Sequence, residues 1–453
     1  MKAINRKKLK DLFIAETSQF TENHPRSIAL LERARQSMPN GVPMTWLMLF
    51  NTFPAPFVET AGGAYFTDVD GHRYLDMNVA DMSMCTGYAA EPVVEAINAR
   101  MAAGHQFLLP TEEAIVVSET LAERFDLPFW QYTLSASTAN TEAIRLARSY
   151  TGKEKILLFD GKYHGHIDAT LIALDNGVNV VEGAGLPAHC TDTADIVQFN
   201  DLSATESALK KGNIACIMTE PALTNCGVIM PEESFFDSLR NLADQYGALL
   251  IIDETHTHVC AYGGLTRAWQ LEPDVLVIGK SLSAGIPIGA YGLSRELAAY
   301  FEKVTDPALP HNDQLATGGT LFANALSMTA ARVTLESLLT EPNQQRTAKL
   351  GEHLADGMQR IFDDYQQDWT AHRLYCRSGY TCASQLPRNV REMDEKFDPL
   401  LVDCQRIFMA NRGIWEAITT AGPTVSIAAS KSDVDFYLGV FEQFIAEVMN
   451  IYR

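Results

Sequence analysis

The chain has 453 residues, of which 47% are hydrophobic, and its 36 basic and 56 acidic side chains give a net charge of −20. A globular protein of this length normally divides its core between two or more domains, and its acidity disfavours nucleic acids and anionic membranes as partners. No apolar run approaches the roughly 20 residues of a membrane span, and the basic N-terminus lacks the apolar run of a secretory signal.

The N-terminal part of the chain predicts helices and one hairpin. Apolar positions at helical spacing run over 26–37 and end at a Pro-Asn-Gly turn. Residues 62–79 hold two short apolar runs on either side of Asp70-Gly71, which is a hairpin signal. Further helices are expected near 91–103, 112–125 and 140–151.

The middle of the chain alternates between strands and helices. A helix is predicted at 233–247, and the strand-like apolar runs are 156–159, 214–218, 248–252 and 275–278. This alternation is typical of a mostly parallel sheet covered by helices.

The C-terminal part is predominantly helical, with strands expected within 371–390. The predicted helices are 324–339, 343–365, 398–413 and 432–452. We therefore predict an α/β protein with a large sheet domain over 81–323. A smaller α+β domain combines the N-terminal segment 1–80 with the C-terminal part 324–453.

Lys280 is the most informative residue, because it follows the apolar run 275–278 and precedes the small-residue stretch 281–289. A lysine at the carboxyl end of a buried parallel strand faces the crevice in which open α/β sheets bind ligands. In a largely dry pocket such a lysine can form a Schiff base with an aldehyde. The aldehyde that this context suggests is pyridoxal phosphate.

Two further segments have features that suit the same cofactor. Asp253 follows the strand 248–252, where a buried carboxylate can pair with a protonated pyridine nitrogen. Residues 135–140, Ser-Ala-Ser-Thr-Ala-Asn, lead into a helix predicted over 141–148, and such a helix entrance can bind phosphate. Taken singly, Asp253 could form a structural ion pair, and residues 135–140 could be an ordinary N-cap.

Two more motifs follow the same pattern. Tyr163, in the motif Tyr-His-Gly-His, lies beyond the strand 156–159 and could stack on a pyridine ring, or simply pack at the surface. Residues 318–321, Gly-Gly-Thr-Leu, precede the helix 324–339 and form a second small-residue entrance with a hydroxyl, or a plain N-cap.

In this order and spacing, the motifs make the chain resemble the class III aminotransferases, in particular the glutamate-1-semialdehyde aminomutase branch, over roughly residues 26–445. The resemblance implies a pyridoxal-phosphate enzyme of fold type I, a homodimer with its active site at the subunit interface. It implies that Lys280, in GKSLSAGIPIGA, is the Schiff-base lysine and that Asp253 binds the pyridine nitrogen. The other implied cofactor contacts are Tyr163 and Thr255 at the ring faces, Ala136, Ser137 and Thr138 at the phosphate, Asn225 at the phenolic oxygen, and Thr320 at the neighbouring subunit's phosphate.

The chain departs from this family where substrates bind. The loop 39–47 has no arginine, although the aminomutase branch carries one there, and 413–420 lacks the arginine of ω-aminotransferases. Thr138 replaces a glutamate of the phosphate loop. Arg377 is the best remaining anchor for a substrate carboxylate. The residues expected to shape the substrate pocket are Trp46, Asp81, which replaces a common tryptophan, and Trp415.

The resemblance predicts an enzyme that acts on a small amine or amino acid, and an aminotransferase is the first interpretation. A lyase that eliminates from an amino-phosphate or amino-phosphonate, such as 1-hydroxy-2-aminoethylphosphonate, stays open, because it needs no keto acid and hence no arginine for one. An aminomutase or racemase is a further alternative. In each case we expect Lys280, displaced by the substrate amine, to shuttle the proton at the amine-bearing carbon.

His256-Thr257-His258 and the cysteines raise the question of a metal. On a strand, His256 and His258 would share one face, with Cys260 nearby, and could hold zinc. No third ligand cluster accompanies them, so we expect no metal and expect both histidines to line the cofactor pocket or to act as hydrogen-bond donors around it. The eight cysteines lack any CxxC pair, which predicts reduced thiols and a cytoplasmic protein.

Overall fold

A computed structural model of the protein describes residues 5–49, 51–416 and 422–451. The strands, in chain order, are β1 (Val58–Gly62), β2 (Tyr65–Asp68), β3 (Arg73–Asp76), β4 (Phe129–Thr133), β5 (Lys155–Phe159), β6 (Ile172–Asp175), β7 (Val178–Val181), β8 (Ala194–Val197), β9 (Ile214–Thr219), β10 (Leu249–Asp253), β11 (Val275–Ile278), β12 (Gly289–Leu293), β13 (Thr370–Leu374), β14 (Arg377–Thr381) and β15 (Ile414–Trp415). The α-helices are α1 (Arg6–Asn23), α2 (Pro25–Ala34), α3 (Trp46–Leu49), α4 (Glu91–Ala102), α5 (Glu112–Phe125), α6 (Ala136–Thr151), α7 (Leu202–Leu209), α8 (Phe235–Tyr246), α9 (Gly264–Ala268), α10 (Arg295–Val304), α11 (Ala325–Val333), α12 (Glu341–Asp364), α13 (Val390–Asp394), α14 (Pro399–Ala410) and α15 (Lys431–Ile451).

The chain forms two compact units. Unit 1 comprises Met1–Ala90, Arg346–Leu386 and Glu395–Arg453, and unit 2 comprises Glu91–Gln345 and Pro387–Asp394. These boundaries differ from the predicted ones at 80/81 and 323/324. The main difference is α11, which belongs to unit 2 because it packs along α4 and α5.

Unit 2 is built on a seven-stranded sheet in the order β4-β12-β11-β10-β9-β5-β8. The run from β11 through β10, β9 and β5 to β8 is parallel, whereas β12 pairs antiparallel with both β11 and β4. The mostly parallel sheet is thus confirmed, and the four predicted strands are β5, β9, β10 and β11. The strands β4, β8 and β12 were not predicted.

The buried strands explain why this sheet forms. Every residue of β9, β10 and β11 is buried, as expected of parallel strands covered by helices on both faces. Helix α6 packs against β9 to β12, and α8 packs against β10. Because β9, β10 and β11 run in one direction, the residues that follow them lie at one edge of the sheet, where α/β proteins bind ligands.

Unit 1 contains a four-stranded sheet, β1-β2-β3-β15, and the separate pair β13-β14. The predicted hairpin is confirmed as β2 and β3, with Asp70 and Gly71 in its turn. Its core gathers side chains from α12, α14 and α15, among them Phe362, Phe408 and Phe441. Helix α1, which was not predicted, packs along α14 and buries Leu9 and Phe20.

Neither a membrane span nor a disulfide is found in the described part of the chain. None of its helices is both long and apolar enough to cross a bilayer. All eight cysteines lie there, and no disulfide joins any two of them. Burial raises the pKa of the Cys216 thiol to about 12, so this thiol stays protonated near neutral pH.

Candidate active site at the carboxyl edge of the unit 2 sheet

Asp253 ends β10 and is 3% exposed. Its Oδ2 atom accepts hydrogen bonds from His164 Nδ1 at 2.9 Å and from Asn140 Nδ2 at 2.8 Å. Its Oδ1 atom accepts from the backbone N–H of Thr255 at 3.0 Å and from the Thr255 hydroxyl at 2.5 Å. Four donors therefore converge on one buried carboxylate.

These donors decide the charge of Asp253. Burial by itself raises the pKa of the carboxyl, but the hydrogen bond and charge of His164, with the bonds from Thr255 and Asn140, hold it below its ordinary value. Within the described residues, His164 is the only side chain that forms an ion pair with Asp253. The site thus contains a buried carboxylate whose negative charge can pair with a cationic ligand.

Lys280 follows the neighbouring strand β11, one residue after Gly279. It begins a short 3-10 helix, Lys280–Ser283, and has a φ of 46°. This left-handed conformation is uncommon for a residue other than glycine. Its Nζ atom lies 2.6 Å from His256 Nε2, so the amine is held inside the site.

The N-terminus of α6 forms the third part of the site. The helix begins at Ala136, so residues 136–140, expected to form a loop, are its first turns. The reason is a capping box: Ser135 Oγ accepts from the N–H of Thr138, and Thr138 Oγ1 accepts from the N–H of Ser135. The helix dipole and first-turn N–H groups then favour an anion at this end.

Glycines let three backbone segments approach this helix entrance. A Cβ on Gly165, whose φ is +97°, would lie 2.1 Å from Ser137 Oγ. A Cβ on Gly289 would lie 2.2 Å from the Ser135 carbonyl oxygen, and one on Gly279 would lie 3.1 Å from Ala136 Cβ. The segment that carries Lys280 therefore packs directly on the first turn of α6.

Glu220 brings two more predicted residues to this edge. It follows β9 and is 3% exposed. Its Oε1 atom accepts from the backbone N–H of Tyr163 at 3.2 Å and from Asn225 Nδ2 at 3.5 Å. Tyr163 and Asn225 are both partly buried, so the structure groups them around one carboxylate.

His256 and His258 would share one face only if they lay on a strand, and the structure places both in turns. Residues 255–260 form turns, because the backbone N–H groups of Thr257 and His258 bond back to the Glu254 carbonyl oxygen. His258 Nδ1 also contacts that oxygen, at 2.9 Å, whereas His256 contacts Thr224 and Lys280. The two rings therefore contact different neighbours.

The prediction that residues 318–321 form a helix entrance is wrong. Helix α11 begins at Ala325, and its N-cap is Asn324, whose Oδ1 accepts from the N–H of Ser327 at 2.9 Å. Thr320 lies in an exposed turn, and its carbonyl oxygen accepts from Gln106 Nε2. Its role at a neighbouring subunit's phosphate stays a prediction.

Comparison with known proteins agrees with this architecture. The sequence profile described as aminotransferase class-III matches residues 51–398. Glutamate-1-semialdehyde 2,1-aminomutase 2 of Halalkalibacterium halodurans is 34% identical over 75% of this chain and 79% of its own. The crystal structure of a glutamate-1-semialdehyde aminomutase from Pseudomonas aeruginosa PAO1 in complex with PMP has a TM-score of 0.94 and is 32% identical, covering 98% of this chain and 99% of its own.

An ω-transaminase from Sphaerobacter thermophilus is similar as well, with a TM-score of 0.85 and 26% identity over 93% of this chain and 97% of its own. The profile match spans well over half of the sequence. The chain belongs to the class III aminotransferases. It is therefore an enzyme of fold type I that depends on pyridoxal phosphate, and within the family it resembles the glutamate-1-semialdehyde aminomutases.

The residues of this class III enzyme suit the cofactor. Asp253 is an ionised carboxylate that has no lysine or arginine partner among the described residues, which suits a protonated pyridine nitrogen. The entrance of α6, where the glycines leave no room for side chains, suits a phosphate. Lys280 supplies the amine at the end of the strand beside Asp253. The donor set thus matches the ring nitrogen, phosphate and aldehyde of pyridoxal phosphate.

The predicted substrate residues of this class III enzyme all lie in unit 1. Trp46 and Asp81 are partly buried, and Asp81 has a φ of 52° within a left-handed run over 79–82. Trp415 packs edge-on against Phe66 and Tyr74.

Arg377 begins β14, just after the turn, and is 2% exposed. Residues 417–420, part of the segment without an arginine, lie outside the described residues.

Sequence reasoning missed the residues that orient Asp253 and Lys280. Glu220 follows a buried strand, so the rule that found Asp253 would have found it too. His164 belongs to a motif from which only Tyr163 was chosen. No local pattern identifies Asn140 and Thr224, because α6 and the segment after β9, which carry them, lie far in sequence from the residues that they contact at the site.

Proposed function

We propose that this class III enzyme removes the amino group of a small primary amine or amino acid and delivers it to a carbonyl acceptor, and so acts as an aminotransferase. The observation that supports this most directly is Asp253, ionised in a buried network beside the strand that carries Lys280. Such an anion under a pyridine ring favours chemistry in which the ring accepts electrons.

We assign each residue a role toward pyridoxal phosphate. The cofactor, when bound, supplies an aldehyde that condenses with amines and a ring that withdraws electrons. Lys280 would bind the aldehyde carbon and would move the proton at the amine-bearing carbon of the substrate. Asp253 would keep the ring nitrogen protonated. The other assignments are Tyr163 and Thr255 at the ring faces, Ala136, Ser137 and Thr138 at the phosphate, and Asn225 at the phenolic oxygen.

The substrate assignment follows from the positions of arginines. A keto acid or amino acid is normally bound through a bidentate arginine. The loop 39–47 has none, and Arg377 is buried in β14. These observations favour a small amine whose recognition does not depend on a carboxylate at that loop, with Trp46, Asp81 and Trp415 as candidate pocket residues.

A second candidate is an aminomutase, in which the amino group returns to another carbon of the same molecule. The relatives named above at 34% and 32% identity support it. The missing arginine in the loop 39–47 favours the aminotransferase, because glutamate-1-semialdehyde carries a carboxylate.

We also propose that the enzyme is a homodimer in which Thr320 serves the partner's phosphate site. Thr320 lies in an exposed turn. Large apolar side chains are exposed at Leu321, next to it in sequence, at Met101 on α4, and at Phe107, Leu108 and Leu109 in the loop that follows α4. Exposed apolar side chains of this size, where they form a contiguous patch, commonly mark an interface. We propose a cytoplasmic location as well, which the scattered cysteines without a CxxC pair favour.

Incubation with candidate amines in the absence of a carbonyl acceptor separates the reactions. An aminotransferase stalls after one equivalent of amine per active site, with the cofactor left in its amine form. An aminomutase instead converts many equivalents to an isomer without added acceptor. Repeated release of ammonia would contradict both candidates.

Borohydride reduction tests the position of the cofactor. Reduction of the loaded wild-type enzyme is expected to fix the cofactor on a single tryptic peptide that contains Lys280, whereas Lys280→Ala gives no adduct. Lys211→Ala, which removes an exposed lysine paired with Asp195, is the matched control and keeps the adduct. An adduct at another lysine in Lys280→Ala would refute the assignment.

A further inference from the structure

Lys280 stands at one end of a line of hydrogen bonds. Its Nζ atom lies 2.6 Å from His256 Nε2. The other ring nitrogen, His256 Nδ1, lies 2.7 Å from Thr224 Oγ1. The Thr224 hydroxyl donates to Glu220 Oε2, also over 2.7 Å. Four side chains thus connect an amine at the end of β11 to a carboxyl at the end of β9.

The line runs through the interior of unit 2. His256 is 7% exposed, Thr224 is 0% exposed and Glu220 is 3% exposed. Bulk water therefore does not compete for the intervening atoms. Glu220 is also held in place at its second oxygen, because Oε1 accepts the N–H of Tyr163.

Each group along the line is able to both give and accept a proton. With Lys280 as an ammonium, Nζ donates to Nε2, Nδ1–H donates to the Thr224 hydroxyl, and that hydroxyl donates to the Glu220 carboxylate. With the carboxyl protonated, every one of these bonds is retained with its direction reversed. No side chain has to rotate between the two arrangements.

We propose that His256, Thr224 and Glu220 form a proton relay for Lys280, which lets the amine shed and regain a proton without opening the site to water. This inference rests on the proposed function, because it concerns the residue that handles the substrate's proton.

The transfer balances in protons and charge. One proton passes from Nζ to Nε2, the Nδ1 proton passes to Thr224 Oγ1, and the hydroxyl proton passes to Glu220 Oε2. An ammonium and a carboxylate become a neutral amine and a neutral carboxyl. The return step restores both charges when Lys280 has to donate.

The surroundings of Glu220 suit a proton acceptor of this kind. Burial raises the pKa of its carboxyl, and the nearby negative charge of Asp253 raises it too. His164, the Thr224 hydroxyl and the Tyr163 N–H lower it. The net effect is a rise, so a neutral carboxyl is accessible at a higher pH than for an ordinary glutamate.

His258 shows that burial near Lys280 is not enough to join the relay. It is 4% exposed and only two residues away from His256, but its Nδ1 contacts a backbone oxygen, which cannot pass a proton on. Burial lowers its pKa to about 4. It therefore provides a matched control for substitutions of His256.

Thr224→Val and Thr224→Ser test the relay. Valine keeps the shape and removes the hydroxyl, whereas serine keeps the hydroxyl. Two quantities are measured on the loaded enzyme: the pH midpoint of the visible band of the lysine-bound cofactor, and the rate at which solvent deuterium enters the amine-bearing carbon. We expect Thr224→Val to slow deuterium entry by about tenfold or more and to lower the midpoint by about half a pH unit.

In the wild type, the hydrogen-bonded chain to the negatively charged Glu220 favours protonation of the nitrogen of Lys280. Thr224→Val breaks this chain, so the pH midpoint falls. Thr224→Ser is expected to keep both quantities close to wild type. Equal values for the valine and serine variants would overturn the relay. If wild-type enzyme forms no lysine-bound band at all, the proposed function fails instead, so the two failures are distinguishable.

A second pair of variants tests the relay independently, in case Thr224→Val does not fold. His256→Gln removes the ring that connects Lys280 to Thr224, and His258→Gln changes the neighbouring buried histidine. The relay predicts slow deuterium entry and a lowered midpoint in His256→Gln only. The same change in both variants would overturn it, because a general disturbance of the turn would then explain the effect.

Discussion

His164 Nδ1 lies 2.9 Å from Asp253 Oδ2, and both side chains are almost fully buried. His164 is the largest contribution that opposes the effect of burial on the Asp253 carboxyl. The motif that begins at Tyr163 therefore has a second role, because His164 favours the ionised form of the Asp253 carboxylate at the end of β10.

His164→Leu is expected to move the acidic limb of the activity profile to higher pH. The pKa of native Asp253 is lowered, so its ionised form and the stabilisation it gives persist down to the folded value and are lost below it. Without His164, the effect of burial dominates and the pKa of the Asp253 carboxyl rises. The pH profile of kcat tests this, with His166→Leu, an exposed neighbour, as the control. An unchanged acidic limb in His164→Leu would contradict the role.

Asp253→Asn is expected to retain the Lys280 adduct but to lower kcat. An amide cannot carry the negative charge that stabilises the protonated ring, and losing one preorganised electrostatic partner costs about 10²–10³ in rate. Borohydride trapping and steady-state kinetics measure the two effects separately. Asp195→Asn removes another buried carboxylate of unit 2, paired with Lys155, and leaves kcat near wild type. Wild-type kcat in Asp253→Asn would rule out the assignment.

Gly165→Ala is expected to weaken cofactor affinity as well as stability. Its φ of +97° disfavours any Cβ, and that Cβ would lie 2.1 Å from Ser137 Oγ at the entrance of α6. Gly177→Ala is the control, because Gly177 has a φ of +81° but open space around it. The control costs about 1 kcal/mol from backbone strain, and Gly165→Ala costs about 1–3 kcal/mol more from overpacking. Urea unfolding measures the stability of each variant, and titration with the cofactor measures its affinity. Equal losses in Gly165→Ala and Gly177→Ala would contradict the close contact between Gly165 and Ser137.

Mixed dimers test whether active sites are shared. Lys280→Ala and Thr320→Ala chains carrying different affinity tags are co-expressed, and the mixed dimer is purified through both tags. If Thr320 serves the partner's phosphate, one of the two sites contains Lys280 and Thr320 intact and binds the cofactor with wild-type affinity. Each variant dimer alone lacks such a site. No gain in the mixed dimer would show that Thr320 acts within its own chain or not at all.

The sequence predicted the buried strands of unit 2 well, because their continuous apolar runs leave few alternatives. Strand β12 was missed because Gly289-Ala290-Tyr291-Gly292-Leu293 is rich in glycine. Those glycines make sense only in three dimensions, where a Cβ on Gly292 would meet Trp130. Helix α1 was missed because few of its residues are buried.

At the site, the sequence identified residues that end strands and missed those that meet them from elsewhere. Lys280 and Asp253 follow β11 and β10, as predicted. The capping box of Ser135 and Thr138 was taken for a loop, because small hydroxyl residues also favour turns. Asn140 and Thr224 depend on where α6 and the β9 end lie in space, which no local pattern encodes.

The left-handed backbone of Lys280 implies a trade-off between stability and activity. A φ of 46° costs a side-chain-bearing residue about 1 kcal/mol that glycine does not incur. Lys280→Gly is therefore expected to unfold at a higher temperature than Lys280→Ala, although neither variant can form a Schiff base with the cofactor. The fold thus keeps the amine of Lys280 at a position where glycine would give a more stable backbone.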